Sequence, residues 1–213
     1  VPKPVLSAMQ RREAIARRTC AALGYNECVS YSFIDKPSAA LFGGGTDDTR
    51  LENPISADMS HMRPSLLPAL LQAAARNQAR GFADMALFEV GPVFTGGEPG
   101  EQHLQVSGVL VGRTGPKDVH GASRPIDLFD VKADIEAILA SIGAPAKVQI
   151  NRKGDEWWHP GRHGQICLGP KMVLAVFGEI HPRVLSALDV KGPAVGFTLW
   201  PANVPLPRKV GAT

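Results

Sequence analysis

The chain has 213 residues, 44% of them hydrophobic and 20% charged, with a formal net charge of +3. That length suits one large domain or two small ones and is ample for a sizeable core, and the hydrophobic share is too high for a disordered chain. No apolar run approaches the roughly 20 residues that span a bilayer, no signal segment opens the sequence, and 23 basic against 20 acidic residues do not mark a dedicated nucleic-acid surface.

Glycine and proline, 22 and 18 residues, make up about a fifth of the chain against a usual share of about 12%. The excess predicts many turns and short strands. In chain order, Ser7 with Gln10 three residues on forms a capping box, and Gly24 supplies a stop, so residues 7–23 are a predicted helix. At about 100° per residue, Ala8, Ile15, Ala16, Cys20 and Leu23 share one arc. Arg11 and Arg18 flank that arc, Arg17 points away and Arg12 falls inside it. Two readings stay open: a solvated face with one arginine turned inward, or a phosphate-binding ridge. Residues 28–33 alternate like a half-buried strand. Phe42-Gly-Gly-Gly-Thr46 lacks the Lys-Ser/Thr of a phosphate loop and is followed by Asp47-Asp48, so it is expected to be a hairpin tip.

A second helix is predicted over 65–80, closed by Gly81, with Asn77 in the middle of its leucine-rich face. A buried Asn left unpaired costs about 1–3 kcal/mol, so Asn77 is expected to tie the helix to a neighbouring strand. Arg76 and Arg80 share an adjoining face. Residues 85–94 are a strand with Gly91-Pro92 marking a bulge or an edge, and Glu89 within it faces solvent or pairs with a basic residue. Residues 103–112 form another strand, 113–125 a glycine-rich loop, and 128–142 a helix capped by Asp127 and ended by Gly143. Strands at 147–151, 163–168 and 172–180, a short helix at 182–188 and a strand at 194–199 complete the set, with Gly169-Pro-Lys171 as a tight turn. Mostly hairpin-connected strands outnumbering helices indicate an α+β fold with an antiparallel sheet. Residues 1–204 are expected to be one module, with possible subregions 1–115 and 116–204. The opening without Met and the proline-rich 205–213 linker predict a piece cut from a longer chain.

The chemistry-bearing residues are sparse. Trp157-Trp-His-Pro-Gly-Arg-His163 with His181 downstream admits a metal site, but Pro160-Gly161 breaks any helix that would align the histidines, and no Asp, Glu or Cys completes a known spacing. The alternative is an ordered loop in which the tryptophans pack and Arg162 is held for an interface. No Gly-x-Ser-x-Gly elbow is present, and no Cys has a His beside it. Cys20, Cys28 and Cys167 are widely spaced, with no Cys-x-x-Cys pair. They predict neither a disulfide framework nor a cysteine zinc site, and a reducing cytosol is the expected compartment.

Taken in order, several segments resemble the catalytic-like region of the bacterial phenylalanyl-tRNA synthetase beta-subunit family. They are the run from Arg11 to Phe33, Leu51-Glu-Asn-Pro-Ile-Ser56, Met62-Arg-Pro-Ser-Leu-Leu67 continuing to Leu71, and Ala75-Arg-Asn77. Leu87-Phe-Glu-Val-Gly-Pro-Val-Phe94, Phe129-Asp-Val-Lys132 continuing to Glu136, His159-Pro-Gly-Arg162 and Phe177-Gly-Glu-Ile-His-Pro182 follow. The match covers roughly residues 5–200.

The resemblance implies a class II synthetase core: an antiparallel sheet flanked by helices. It implies that the alpha subunit performs catalysis and that this module is a degenerate, silent copy serving an (αβ)2 heterotetramer. The sequence agrees with that, because Phe88-Glu-Val-Gly91 lacks the phosphate-binding Arg of a working class II motif. Phe177-Gly-Glu-Ile-His-Pro-Arg183 lacks the repeated glycines of another, although Arg183 remains. No cofactor or metal is expected in this segment; ATP, Mg2+ and tRNA belong to the whole enzyme, in the cytoplasm and off the membrane. The motif positions Arg63, Asn77, Arg80, Glu89, His159, Arg162, Glu179 and His181 are the candidate interface or structural residues. Two other readings compete: an autonomous nucleic-acid-binding module using the first helix's arginines, and a metal-dependent hydrolase built on His159, His163 and His181.

Overall fold

The computed structural model describes residues 5–206 except 116–118, 120 and 122. Helix α1 (Ala8–Ala22) starts at the expected capping box: Ser7 accepts from the Gln10 backbone, and the Gln10 side chain accepts from the Ser7 backbone. Its inward stripe holds Ala16 and Cys20, and Arg12 with them. Arg12 is 6% exposed and faces no carboxylate; its guanidinium donates to the carbonyls of Pro201 (3.1 Å), Val204 and Pro205. Burial lowers its pKa, and the three carbonyls supply the acceptors that water would otherwise provide. The solvated-face reading with one inward arginine describes α1; Arg17 is held by Glu13 and Glu27.

Residues 28–33 do not form the expected strand. β1 (Asn26–Glu27) ends early and β2 (Phe33–Ile34) belongs to a separate two-stranded sheet with β3 (His61–Met62). The intervening residues run along the sheet edge, held by Cys28 N–H donating to the Phe88 carbonyl and Ser30 bonding Glu89. The alternation that imitated a strand reflects this pinning: Ser30 turns inward while Val29 and Tyr31 are 91% and 71% exposed. The glycines at 43–45 likewise form no hairpin tip. They follow a short helix, α2 (Lys36–Ala40), capped by Asp35, which sequence periodicity is too short to reveal. Gly43 and Gly45 take positive φ to turn the chain away from it.

Helix α3 (Leu67–Gln78) carries the leucine face, buried at Leu67, Leu70, Leu71 and Ala74. Asn77 is only half-buried, and its amide donates to Ala73 in its own helix at 2.9 Å. Asn77 is the penultimate residue of α3, and its amide bonds back into its own helix, so the expected tie to a strand is not made. β4 (Met85–Phe94) and β5 (Gln102–Val111) pair along their full length without a bulge. Pro92 lies beyond the end of β1, so its missing N–H falls on an open edge. α4 (Leu128–Ser141) is capped by Asp127. β6 (Gln149–Asn151), β7 (Trp158–Leu168), β8 (Met172–Ile180), α5 (Pro182–Ala187) and β9 (Ala194–Leu199) follow.

The large sheet has the order β1-β4-β5-β9-β8-β7-β6, antiparallel throughout except for the parallel β1–β4 pair. The β5–β9 pairing makes one continuous sheet from strands on both sides of residue 115. α1 and α4 cover one face over Phe88, Val106, Phe177 and Phe197; α3 and α5 cover part of the other over Leu87, Val109, Val111 and Ile180. Among the described residues no helix is long and apolar enough to cross a membrane, and Cys20, Cys28 and Cys167 are free. Residues 207–213 of the expected 205–213 linker lie outside the described residues, as does part of the loop at 113–125.

The small β2–β3 sheet carries a pH liability. His61 is 3% exposed; its Nδ1 meets Ser60 at 2.9 Å and its Nε2 has no partner among the described residues. Burial lowers its pKa, and the Lys36 and Arg50 charges add to that, against Asp47. The unfolded chain therefore binds a proton at about pH 6.5 that the folded chain resists. Stability is full above that pH and falls as the solution is acidified. Denaturant titrations at about pH 7.5 and 5.5 should show a smaller loss for His61→Gln than for the natural chain.

Candidate functional site

On the α3 side of the sheet, beyond the part that α3 itself covers, lies a row of buried polar side chains. Register places Glu89 opposite Ser107, and Ser107 opposite Thr198, on three adjacent strands. Glu89, Ser107 and Thr198 are 3%, 0% and 5% exposed. One step along, Gln105 is also buried, and its carboxamide oxygen accepts from the Leu66 N–H at 3.1 Å, next to the start of α3.

Two of the expected site residues form the strongest element of this row. Arg63 Nη1 lies 2.7 Å from Glu89 Oε1, with side-chain exposures of 2% and 4%. Arg63 also donates to the Pro92 carbonyl at 2.8 Å and to Ser30 Oγ at 2.9 Å, while the Ser30 hydroxyl donates to Glu89 at 2.6 Å. Gly91 leaves room for the guanidinium: a Cβ there would lie 2.6 Å from Arg63 Nη2. Every strong acceptor on Glu89 is thus engaged, and the pair braces β4 against the edge segment 28–32. Arg63 and Glu89 are internal struts and not surface contacts.

Beside this brace lies a cavity of about 160 Å³. Its apolar walls are Phe42, Trp157, Trp158, Trp200, Val93 and Val176; its polar groups are Ser65, Thr95, His103, Gln105, Asp155 and Thr198. Phe42 and Trp157 pack ring on ring at a 5.6 Å centroid separation. No Lys or Arg lines the cavity.

Four more expected residues gather at the bulge of β7, which the sequence suggested would be a loop. The register shift between Trp158 and His163 accommodates Pro160-Gly161. Arg162 pairs with Glu179 of β8 at 2.8 Å, and its guanidinium lies 2.8 Å from His159. His159 and His181 stack, centroids 6.5 Å apart. His163 turns its two ring nitrogens toward the carbonyls of His159 (2.8 Å) and Arg152 (3.1 Å), so neither points at the other histidines. Among the described residues no three His, Cys, Asp or Glu side chains converge on a metal-sized site. A wider cleft of about 640 Å³ beside the bulge is lined by Arg152, Lys153, Asp155, Glu156, His181 and Arg183 among others; Arg183 pairs with Glu156 at 3.0 Å. Asn77, in the last turn of α3, and Arg80, exposed just past its C-terminus, lie apart from both groups.

The family model for the phenylalanyl-tRNA synthetase beta chain CLM domain matches residues 1–200. The chain belongs to this family. It is 76% identical over its full length to the phenylalanine--tRNA ligase beta subunit of Ruegeria pomeroyi, and 50% identical over 98% of its length to that of Rhodospirillum rubrum. The chain spans about a quarter of the length of these curated relatives. A solved pyrrolysyl-tRNA synthetase from Desulfitobacterium hafniense superposes with a TM-score of 0.66 over 89% of this chain and 65% of that one, at 14% identity. A second structure of that synthetase gives 0.66 over 92% and 68%, at 15% identity. These similarities establish the class II synthetase-like core that the sequence led us to expect.

Within this phenylalanyl-tRNA synthetase beta-chain module, ATP is a poor fit to the sheet-face cavity. Ligand pockets for drug-sized molecules run to about 300–1,000 Å³, and a triphosphate needs cations that this lining lacks. The first helix offers a nucleic acid little more, since Arg12 is buried and Arg17 ion-paired, leaving Arg11 and Arg18 exposed. Sequence reasoning missed Ser30, Gln105, Ser107, Thr198 and Trp200. The signal available was a polar residue breaking an apolar strand: Ser107 among valines, and Thr198 between Phe197 and Leu199.

Proposed function

We propose that this chain is a catalytically silent module of the phenylalanine-tRNA ligase beta subunit and that its work is assembly with the alpha subunit. The observation that carries the reading is the aromatic closure of the sheet face. Over the sheet face, Phe42, Trp157, Trp158 and Trp200 leave about 160 Å³ without a Lys or Arg, and in the wider cleft at the β7 bulge Arg152, Lys153 and Arg183 stand among the carboxylates of Asp155 and Glu156. On this reading ATP, Mg2+ and tRNA are handled by other parts of a cytoplasmic (αβ)2 enzyme. With the purified chain, phenylalanine, ATP and labelled pyrophosphate, exchange should stay at background; exchange above background would refute the silent role.

The assembly surface is the open edge of the sheet. Val29 and Tyr31 stand out from residues 28–32, whose inward side is pinned by Ser30. Arg76 on α3, which lies beside it, and Arg80 just past that helix are exposed. Burial raises the Cys28 thiol's pKa, the Glu89 charge adds to the rise, and Arg76 opposes it, which places the Arg76 charge close to the edge. Exposed apolar side chains at a sheet edge invite a partner's surface, and the arginines suit its carboxylates. Arg162, on the far side of the sheet and ion-paired to Glu179, is a second candidate contact.

A further inference from the structure

We propose that the tryptophan-walled cavity on the sheet face is a binding site for a small neutral planar ring bearing a carboxamide or equivalent carbonyl edge. This goes beyond the silent role, which concerns ATP and adenylate chemistry, and it is tested without ATP. The chain contains three tryptophans, and all of them, Trp157, Trp158 and Trp200, line this one cavity. Aromatic walls favour a flat apolar body, and cavities of about 150 Å³ admit a benzene-sized ring.

The polar groups define the rest of the ligand. Gln105 is 3% exposed, and its orientation is fixed because the Leu66 N–H and the Ser107 hydroxyl both donate to its carbonyl oxygen. Its amide nitrogen therefore carries the free N–H groups, and it has no hydrogen-bond partner among the described residues. Ser65, 6% exposed, accepts from the Leu67 N–H, and its own hydrogen has no acceptor among them. The Ser107 hydrogen is committed to Gln105, so in the 3.1 Å Ser107–Thr198 contact the Thr198 hydroxyl donates. Thr198 then keeps a free acceptor lone pair. Thr95 and His103, which also line the cavity, meet each other at 3.4 Å; the two donors and one acceptor left beside the aromatic walls match a carboxamide, whose oxygen receives from Gln105 and Ser65 and whose N–H donates to Thr198. A carboxylate is disfavoured, because no Lys or Arg lines the cavity and Asp155 does.

Titrating the 213-residue chain with benzamide should move all three tryptophan indole N–H signals in proton–nitrogen correlation spectra, saturably and at low-millimolar concentration. Benzoate should bind at least about tenfold more weakly, and Gln105→Met should weaken benzamide by about tenfold, the equivalent of one hydrogen bond. Signal dispersion reports whether Gln105→Met still folds; if it does not, the benzamide–benzoate comparison on the natural chain decides. Uracil, with a similar carbonyl and N–H edge, separates the sources: tighter binding than benzamide assigns the cavity to nucleobases, weaker binding to aromatic carboxamides. Absent or unsaturable shifts for benzamide and uracil alike would mean that the cavity holds only water and would overturn the proposal. Equal affinity for benzoate, or an unchanged affinity in a folded Gln105→Met, would do so as well.

Discussion

Glu89→Gln is expected to cost the domain about 3–5 kcal/mol, the range found when one partner of a buried ion pair is removed. The reason lies in what is left behind. Arg63 cannot lose its charge, and at 2% side-chain exposure it cannot reach water. Its remaining partners, the Pro92 carbonyl and Ser30 hydroxyl, are neutral. For a domain of this size such a loss lowers the melting temperature by roughly 10 °C. Glu89→Asp keeps the charge but shortens the reach and should fall between. The double variant Glu89→Gln with Arg63→Met removes the orphaned cation and should be more stable than Glu89→Gln alone, because apolar replacement of both partners is often neutral or favourable. Thermal melts of the natural chain, Glu89→Gln, Arg63→Met and the double variant give the coupling directly. If Glu89→Gln melts within a degree or two of the natural chain, the pair is not the brace described above.

That brace also shows where sequence reading succeeds and where it stops. Helices such as 128–141 were legible because a 3.6-residue apolar period, an Asp cap and a terminal glycine all agree locally. The hairpin β7–β8 was legible from its turn. The parallel β1–β4 contact, by contrast, joins residues about 60 apart, and no local signal encodes it. Residues 28–33 alternated for the right physical reason, an inward and an outward side, but the inward side meets Glu89 and Arg63 instead of a sheet partner. Of the eight expected site residues, the four of the β7 bulge come together, Arg63 and Glu89 pair, and Asn77 and Arg80 stand apart. The motifs marked these positions without distinguishing a strut from a surface contact, because that distinction is burial, and burial is tertiary. The cavity was invisible for a related reason: Trp157 and Trp200 come from opposite sides of β8, 43 positions apart, and only the sheet order brings them to one wall.

The assembly reading makes its largest prediction at the sheet edge. Val29→Asp with Tyr31→Asp should reduce recovery of the alpha subunit in co-purification by at least about tenfold, or about 1.4 kcal/mol. Buried Tyr anchors commonly contribute 2 kcal/mol or more to an interface, and two new carboxylates would have to be desolvated against the partner. Both side chains project into solvent in the isolated chain, and Ser30, which holds the segment to Glu89, is untouched. The melting temperature should therefore stay within about 2 °C of the natural chain, as surface substitutions usually do. That control separates this variant from Glu89→Gln, which would also weaken assembly but through unfolding. Arg76→Glu with Arg80→Glu should give a smaller, salt-dependent loss, because exposed charges act mainly through screened long-range attraction. Undiminished recovery with the Asp pair would move the contact off the β1 edge. A loss confined to Arg162→Glu would place it instead at the bulge of β7, where Arg162 bridges to Glu179.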